Sequence, residues 1–117
     1  MSTAFKPANI LIPENTDMEK WAVVACDQYT GQPDYWKRVE DTVGAADSTL
    51  KLILPEVYLE DSDSEERIKK IHAEMDRILS GNTLKEYKDT IIYIERVQSD
   101  GKIRQGLVGM IDLEEYD

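Results

Sequence analysis

The run Ile91 to Val97, a turn containing Asp100-Gly101, and the run Ile103 to Asp112 narrow the fold more than any other part of the chain. An Asp-Gly pair supplies the positive φ angles that tight hairpin turns require, so the two runs are expected to pair as antiparallel strands. Ile91, Ile92, Tyr93 and Ile94 are apolar on both faces of a strand, which predicts a strand internal to a sheet and covered on both sides. Gly106 and Gly109 in the return strand predict a bulge or a close backbone approach.

Two helices are expected against this sheet. Tyr35, Trp36, Val39 and Val43 recur at helical spacing behind Pro33, whose missing N–H suits a first turn, and Gly44 is a natural stop, giving a helix over about 33–43. Ile68, Ile71, His72, Met75, Ile78 and Leu79 follow the i, i+3, i+4, i+7 stripe up to Gly81-Asn82, giving a second over about 63–80 with Ser62 and Glu65 as its capping box. Thr16 with Glu19 reads as another capping box and predicts a helical turn there. Ile10 to Ile12, stopped by Pro13, reads as a brief strand or a buried extended segment. Trp21, Val23 and Val24 fit either a continued helix or a strand, and the valines favour a short strand at 22–26. Leu50, Leu52 and Leu54 alternate with Lys51 and Ile53, which predicts a strand over 49–54. Leu84 and Tyr87 are expected to cover the base of the second helix, and residues 1–7 to form a mobile end. The sum is an α+β fold: a small mixed or antiparallel sheet that includes the C-terminal hairpin, packed by two main helices, with residues 1–117 as a single domain.

Charge limits the partners. There are 24 acids against 14 bases, a formal net charge of -10, and the bases are spread along the chain with no run longer than the pairs Lys37-Arg38 and Lys69-Lys70. Nucleic acid and anionic membrane both need a basic footprint, so neither is an expected partner. No apolar stretch approaches the roughly 20 residues that span a bilayer, and the three-residue apolar run near the N-terminus is too short for a signal-peptide core, so the expected location is cytoplasmic. A single cysteine and a single histidine exclude an internal disulfide and every Cys/His metal framework.

No catalytic signature stands in the chain. A thiol needs a base or a positive neighbour to become thiolate, whereas Cys26 lies beside Asp27, and the sole candidate base, His72, belongs to the helix stripe and is expected to be a half-buried packing residue. Cys26 reads as a small buried cysteine. Asp61-Ser62-Asp63-Ser64-Glu65 resembles the start of a calcium loop, but Glu66 stands where the sixth position needs glycine and His72 where the twelfth needs glutamate. Acids in a first helical turn explain those residues better. Gly106 and Gly109 are not a phosphate loop, since no lysine–serine/threonine pair follows. The best local candidate is Asp27, Gln28, Tyr29 and Thr30, which offer an acceptor, an amide and two hydroxyls on a loop, where ligand-binding groups concentrate. The competing reading has Asp27 and Thr30 closing the turn before Pro33. Tyr29, Tyr35 and Trp36 offer a stacking platform, although helical spacing favours a core role.

FKPANILIPEN, DMEKWAVVACDQYTGQPDYW, STLKLILPEVYLED and GLVGMIDLEEYD together resemble the N-terminal part of the domain-of-unknown-function 1015 family, bacterial and archaeal proteins of several hundred residues. The CDQYT segment and the GLVGMIDLEEYD ending are the most specific marks, and the likeness covers essentially the whole chain. The resemblance implies an N-terminal fragment of a longer protein. Members are sometimes labelled ParB-like, and a more distant similarity to the ParB/sulfiredoxin group implies nucleotide binding in some relatives and phosphorylation of free serine in others. The family's Asp-Gly-Asn-His segment has no counterpart here, since Asp100-Gly101 is followed by Lys102-Ile103. On this reading the chain is a structural domain that forms part of a nucleotide or small-metabolite site, completed by the C-terminal remainder of its own longer chain; no cofactor is identified. The alternative is an acidic protein-interaction or regulatory module without catalytic activity, whose face at 56–66 carries six acids and no base.

Overall fold

The computed structural model describes residues 4–114 of the chain, and residues 1–3 and 115–117 lie outside the described part. The fold is α+β, with strands β1 (Phe5–Lys6) and β2 (Ala8–Pro13), helices α1 (Met18–Trp21), α2 (Pro33–Val43) and α3 (Ser64–Ser80), then strands β3 (Leu84–Thr90), β4 (Ile92–Val97), β5 (Ile103–Val108) and β6 (Met110–Ile111). Two 3-10 turns, Thr49–Leu52 and Glu56–Tyr58, lie between α2 and α3. The described residues fall into two compact units, one built from the residues up to Ile12 with those from Glu86 onward, the other from Pro13–Lys85.

The first unit is a set of two-stranded ladders: β1 with β6, β2 with β3, and β4 with β5. Phe5 and Lys6 therefore lie in a strand, opposite Ile111 and Met110, where a mobile end was expected. Gly109 marks the close approach expected of it. A Cβ there would lie 2.7 Å from the Lys6 carbonyl oxygen and 2.7 Å from the Phe5 ring, whereas Gly106 faces open space. The hairpin β4–β5 is antiparallel and turns through Gly101 at φ 85°, while Asp100 does not take a positive φ, so the glycine alone supplies the left-handed backbone expected of the pair. Its burial corrects the sequence expectation: Tyr93 is 54% and Ile94 48% exposed, because no third strand pairs with either member among the described residues. Leu84 and Tyr87 are half-buried in β3.

The Pro13–Lys85 unit is built on its helices. Pro33 opens α2 and Gly44, at φ 57°, closes it by donating to the Glu40 carbonyl at 2.9 Å. Trp36 and Val43 on its inner face are buried, together with Trp21, Tyr58 and Ile78. On α3, Ile78 is buried, but Ile68, Met75 and Leu79 of the same stripe are exposed, and so is His72, which was expected to pack half-buried. Both capping boxes are displaced. Asp17, one residue later than Thr16, accepts from the Glu19 N–H at 3.0 Å, and the Thr16 hydroxyl donates to the Asp47 carbonyl instead. Asp63 precedes α3 where Ser62 was expected, and its carboxylate accepts from the Arg67 guanidinium.

The two short strands expected in this unit are absent. Residues 22–25 run without regular structure, because the chain leaves α1 in extended backbone with no partner strand. Residues 49–52 form a 3-10 turn: the buried Ser48 hydroxyl accepts from the Leu50 N–H at 3.1 Å, a local bond that competes with strand pairing. Asp47 next to it accepts from the hydroxyl of the buried Thr83 and from Arg77.

Asp47→Ala is expected to cost about 2 kcal/mol in chemical denaturation, because Thr83 loses its acceptor and Arg77 keeps only Glu74 of its two counter-charges. Thr83 and then Arg77 hold the Asp47 carboxyl below its ordinary value. That contribution is full above about pH 4 and disappears as pH falls through the depressed folded-state value. Equal acid sensitivity of wild type and variant would contradict it. Gly109→Ala is expected to part β1 from β6. The readout is faster hydrogen exchange at the Asp112 amide, which donates to the Ala4 carbonyl at 2.8 Å, with the β4–β5 amides unchanged.

Candidate functional site

Helix α2 borders two recesses of the Pro13–Lys85 unit, and the loop before it carries the residues singled out in the sequence. The first half of the loop backbone is pinned at two points: the Glu56 N–H donates to the Cys26 carbonyl at 2.8 Å and the Trp36 indole N–H to the Gln28 carbonyl at 3.2 Å. Backbone bonds from Gln28 to Ala25 and from Gln32 to Tyr29 close the turns. The Asp27 and Thr30 side chains are therefore not what shapes the loop. Asp27, Gln28, Tyr29 and Thr30 are all exposed, and the Gln28 amide reaches the Asp27 carboxylate at 3.5 Å.

Tyr29 sits at φ 53°, in the left-handed region that costs a residue with a Cβ about 1–2 kcal/mol. Its ring stacks on Tyr35 at 3.9 Å, and Tyr35 meets Trp36 edge-on at 5.5 Å. Such aromatic pairs contribute about 0.5–1.5 kcal/mol each, enough to offset much of the strain. The three aromatics divide: Trp36 is core, while Tyr29 and Tyr35 form an outer stack.

Tyr35 also lines a groove of 520 Å³ between α2 and the 19–24 segment. Val23, Val24 and Val39 supply its apolar wall, with Glu19 and Arg38 as its charged groups. Neither Glu19 nor Arg38 forms an ion pair among the described residues. The groove was not foreseen from the sequence. Its signal was present in the helical spacing of Tyr35, Arg38, Val39 and Thr42, which places all four along one side of α2.

A second recess, of 760 Å³, lies along the C-terminal half of α2, residues 50–55 and α3. Leu50, Ile53 and Ile71 give it an apolar floor, and four carboxylates (Glu40, Asp63, Glu66, Glu74) outnumber three cations (Lys51, Arg67, Lys70) around it. Arg67 is committed within the fold. It lies 3.8 Å over the Tyr58 ring and pairs with Asp63 at 3.3 Å and Glu40 at 3.9 Å. The Tyr58 hydroxyl donates to Glu40 at 3.2 Å, and burial, followed by the Glu40 charge, pushes its phenol above the ordinary tyrosine range.

Cys26 is half-buried with a free thiol, and no hydrogen bond joins its side chain to His72 among the described residues. No group of His, Cys, Asp and Glu side chains suited to a metal ion occurs among the described residues, and none of the described helices is long and apolar enough to cross a membrane.

The model of the family described as "Protein of unknown function (DUF1015)" matches residues 5–117, and the chain belongs to that family. Comparison with curated proteins and with solved structures finds no match.

The buried phenol has a pH signature. The raised folded-state value means that the Tyr58 contribution is full below about pH 10 and is lost as pH climbs above it. In an absorbance titration, Tyr58→Phe is expected to remove a phenolate signal that rises above the ordinary tyrosine range. Loss of an ordinary tyrosine step instead would place Tyr58 in water.

Proposed function

We propose that this DUF1015-family chain is a small-metabolite-binding domain, in which the loop at Asp27, Gln28, Tyr29 and Thr30 and the groove along α2 form one wall of a site completed by a C-terminal region of a longer chain. The observation that carries this reading is the double role of Tyr35, which stacks on Tyr29 of the loop and lines the groove. Loop and groove are thus one continuous surface. An apolar wall with a few separated polar groups is the usual make-up of a small-ligand site, and 520 Å³ lies within the usual size range. Glu19 and Arg38, unpaired with each other, offer one charge of each sign. That pattern suits an amino-acid-like metabolite with an apolar body, its ammonium towards Glu19 and its carboxylate towards Arg38. A nucleotide would bring several negative charges to one guanidinium in a chain of net charge -10, which makes it the less favoured ligand.

Thermal melts against a panel of amino acids and nucleotides test this. A ligand at a hundred times its Kd stabilises by about 2.7 kcal/mol, a shift of several degrees for a domain of this size. The expected result is a shift with one class of apolar amino acid, abolished in Arg38→Gln and reduced in Asp27→Ala. A shift with nucleotides alone would move the reading to a nucleotide site, and a shift unaffected by either substitution would remove the site from this surface.

A further inference from the structure

The hairpin β4–β5 carries a feature that neither its own stability nor the groove explains. Its register places Ile92 opposite Val108, Ile94 opposite Gly106 and Arg96 opposite Arg104. Alternate residues of a strand share a face, so these six lie on one side of the hairpin. Like charges directly opposite each other weaken a strand pair, yet neither arginine has an ion pair among the described residues. The acids of the hairpin are directed elsewhere. Glu95 lies on the opposite face and accepts from the Tyr93 hydroxyl at 2.8 Å, and Asp100 accepts from the Lys102 N–H within the turn.

We infer that this face docks an extended acidic and apolar segment of another polypeptide. Among the described residues both outer edges of the two-stranded ladder are unpaired, and such a ladder is marginal in water without further cover. Ile94 and Val108 are exposed, and Gly106 between them faces open space, so no side chain of the return strand covers Ile94 from the opposite position. Two adjacent guanidinium groups with no carboxylate on their face select an acidic partner. A second copy docked through the same face would bring four arginines together.

The test is NMR titration of the whole chain with a short peptide of alternating valine and glutamate, its valine–lysine counterpart, and vesicles of anionic phospholipid. The valine–glutamate peptide is expected to shift amides within 92–108 and to bind at least tenfold more tightly than the lysine peptide. Arg96→Glu places a carboxylate opposite Arg104, so the hairpin is expected to melt no earlier than wild type while binding of the acidic peptide falls at least tenfold. Arg104→Gln, which removes one charge, is expected to weaken binding several-fold. Equal binding of the two peptides, no binding, or amide shifts confined to residues outside 92–108 would overturn the inference. Vesicle binding or self-association that Arg96→Glu abolishes would overturn it as well, in favour of a membrane or a second copy.

Discussion

The polar turn Asp47–Thr49 ties the Pro13–Lys85 unit together. The fully buried Ser48 donates to the Trp21 carbonyl at 3.2 Å and Thr49 donates to the same oxygen at 2.7 Å. The Asp47 carbonyl accepts from Thr16, and its carboxylate from Thr83 and Arg77. A buried donor or acceptor left unpaired costs about 1–3 kcal/mol, so each bond excludes competing arrangements by a margin that matters to a small domain. The consequence reaches the proposed site. With the Trp21 carbonyl satisfied from outside, α1 ends after one turn and the chain leaves in extended backbone at Ala22. That exit sets Val23 and Val24 along the groove.

What could be read from the chain follows from how far each signal acts. Pro33, Gly44 and Gly81 work within their own turns, and α2 and α3 begin and end within a residue of the expected bounds. The Asp100-Gly101 turn and the close approach at Gly109 are equally local. Alternating leucines at 50–54 suggested a strand, but Ser48 captures the Leu50 N–H and turns the backbone into a 3-10 helix first. The hairpin shows the opposite limit. Its pairing is encoded in its own residues, whereas the cover over its faces depends on other chain segments, so apolar composition alone misjudged Tyr93 and Ile94.

The candidate loop was legible as a polar stretch after an apolar run, because composition alone marks such positions. The left-handed backbone of Tyr29 and its stack on Tyr35 were not, since they depend on where α2 brings Tyr35. Arg38 was recoverable from spacing, but nothing in the sequence separates it from Arg67. Both are single arginines among carboxylates. Only the folded chain shows that Arg67 is held by Tyr58, Asp63 and Glu40.

That difference explains why size does not select the site. The recess beside α3 is larger than the groove, at 760 Å³ against 520 Å³. A ligand entering it would have to compete with Asp63 and Glu40 for Arg67, and its rim holds more carboxylates than cations. An anionic group gains little there, because separating a formed ion pair returns most of the energy of the new one. In the groove, Arg38 has no ion pair among the described residues, so the carboxylate of the proposed ligand would keep the full charge-assisted hydrogen bond. The same reasoning covers Arg96 and Arg104, whose mutual repulsion an acidic partner would relieve. Of the five arginines, Arg67 and Arg77 are held by carboxylates, whereas Arg38, Arg96 and Arg104 have no ion pair among the described residues, and those three are the guanidinium groups that an acidic ligand would meet at no internal cost.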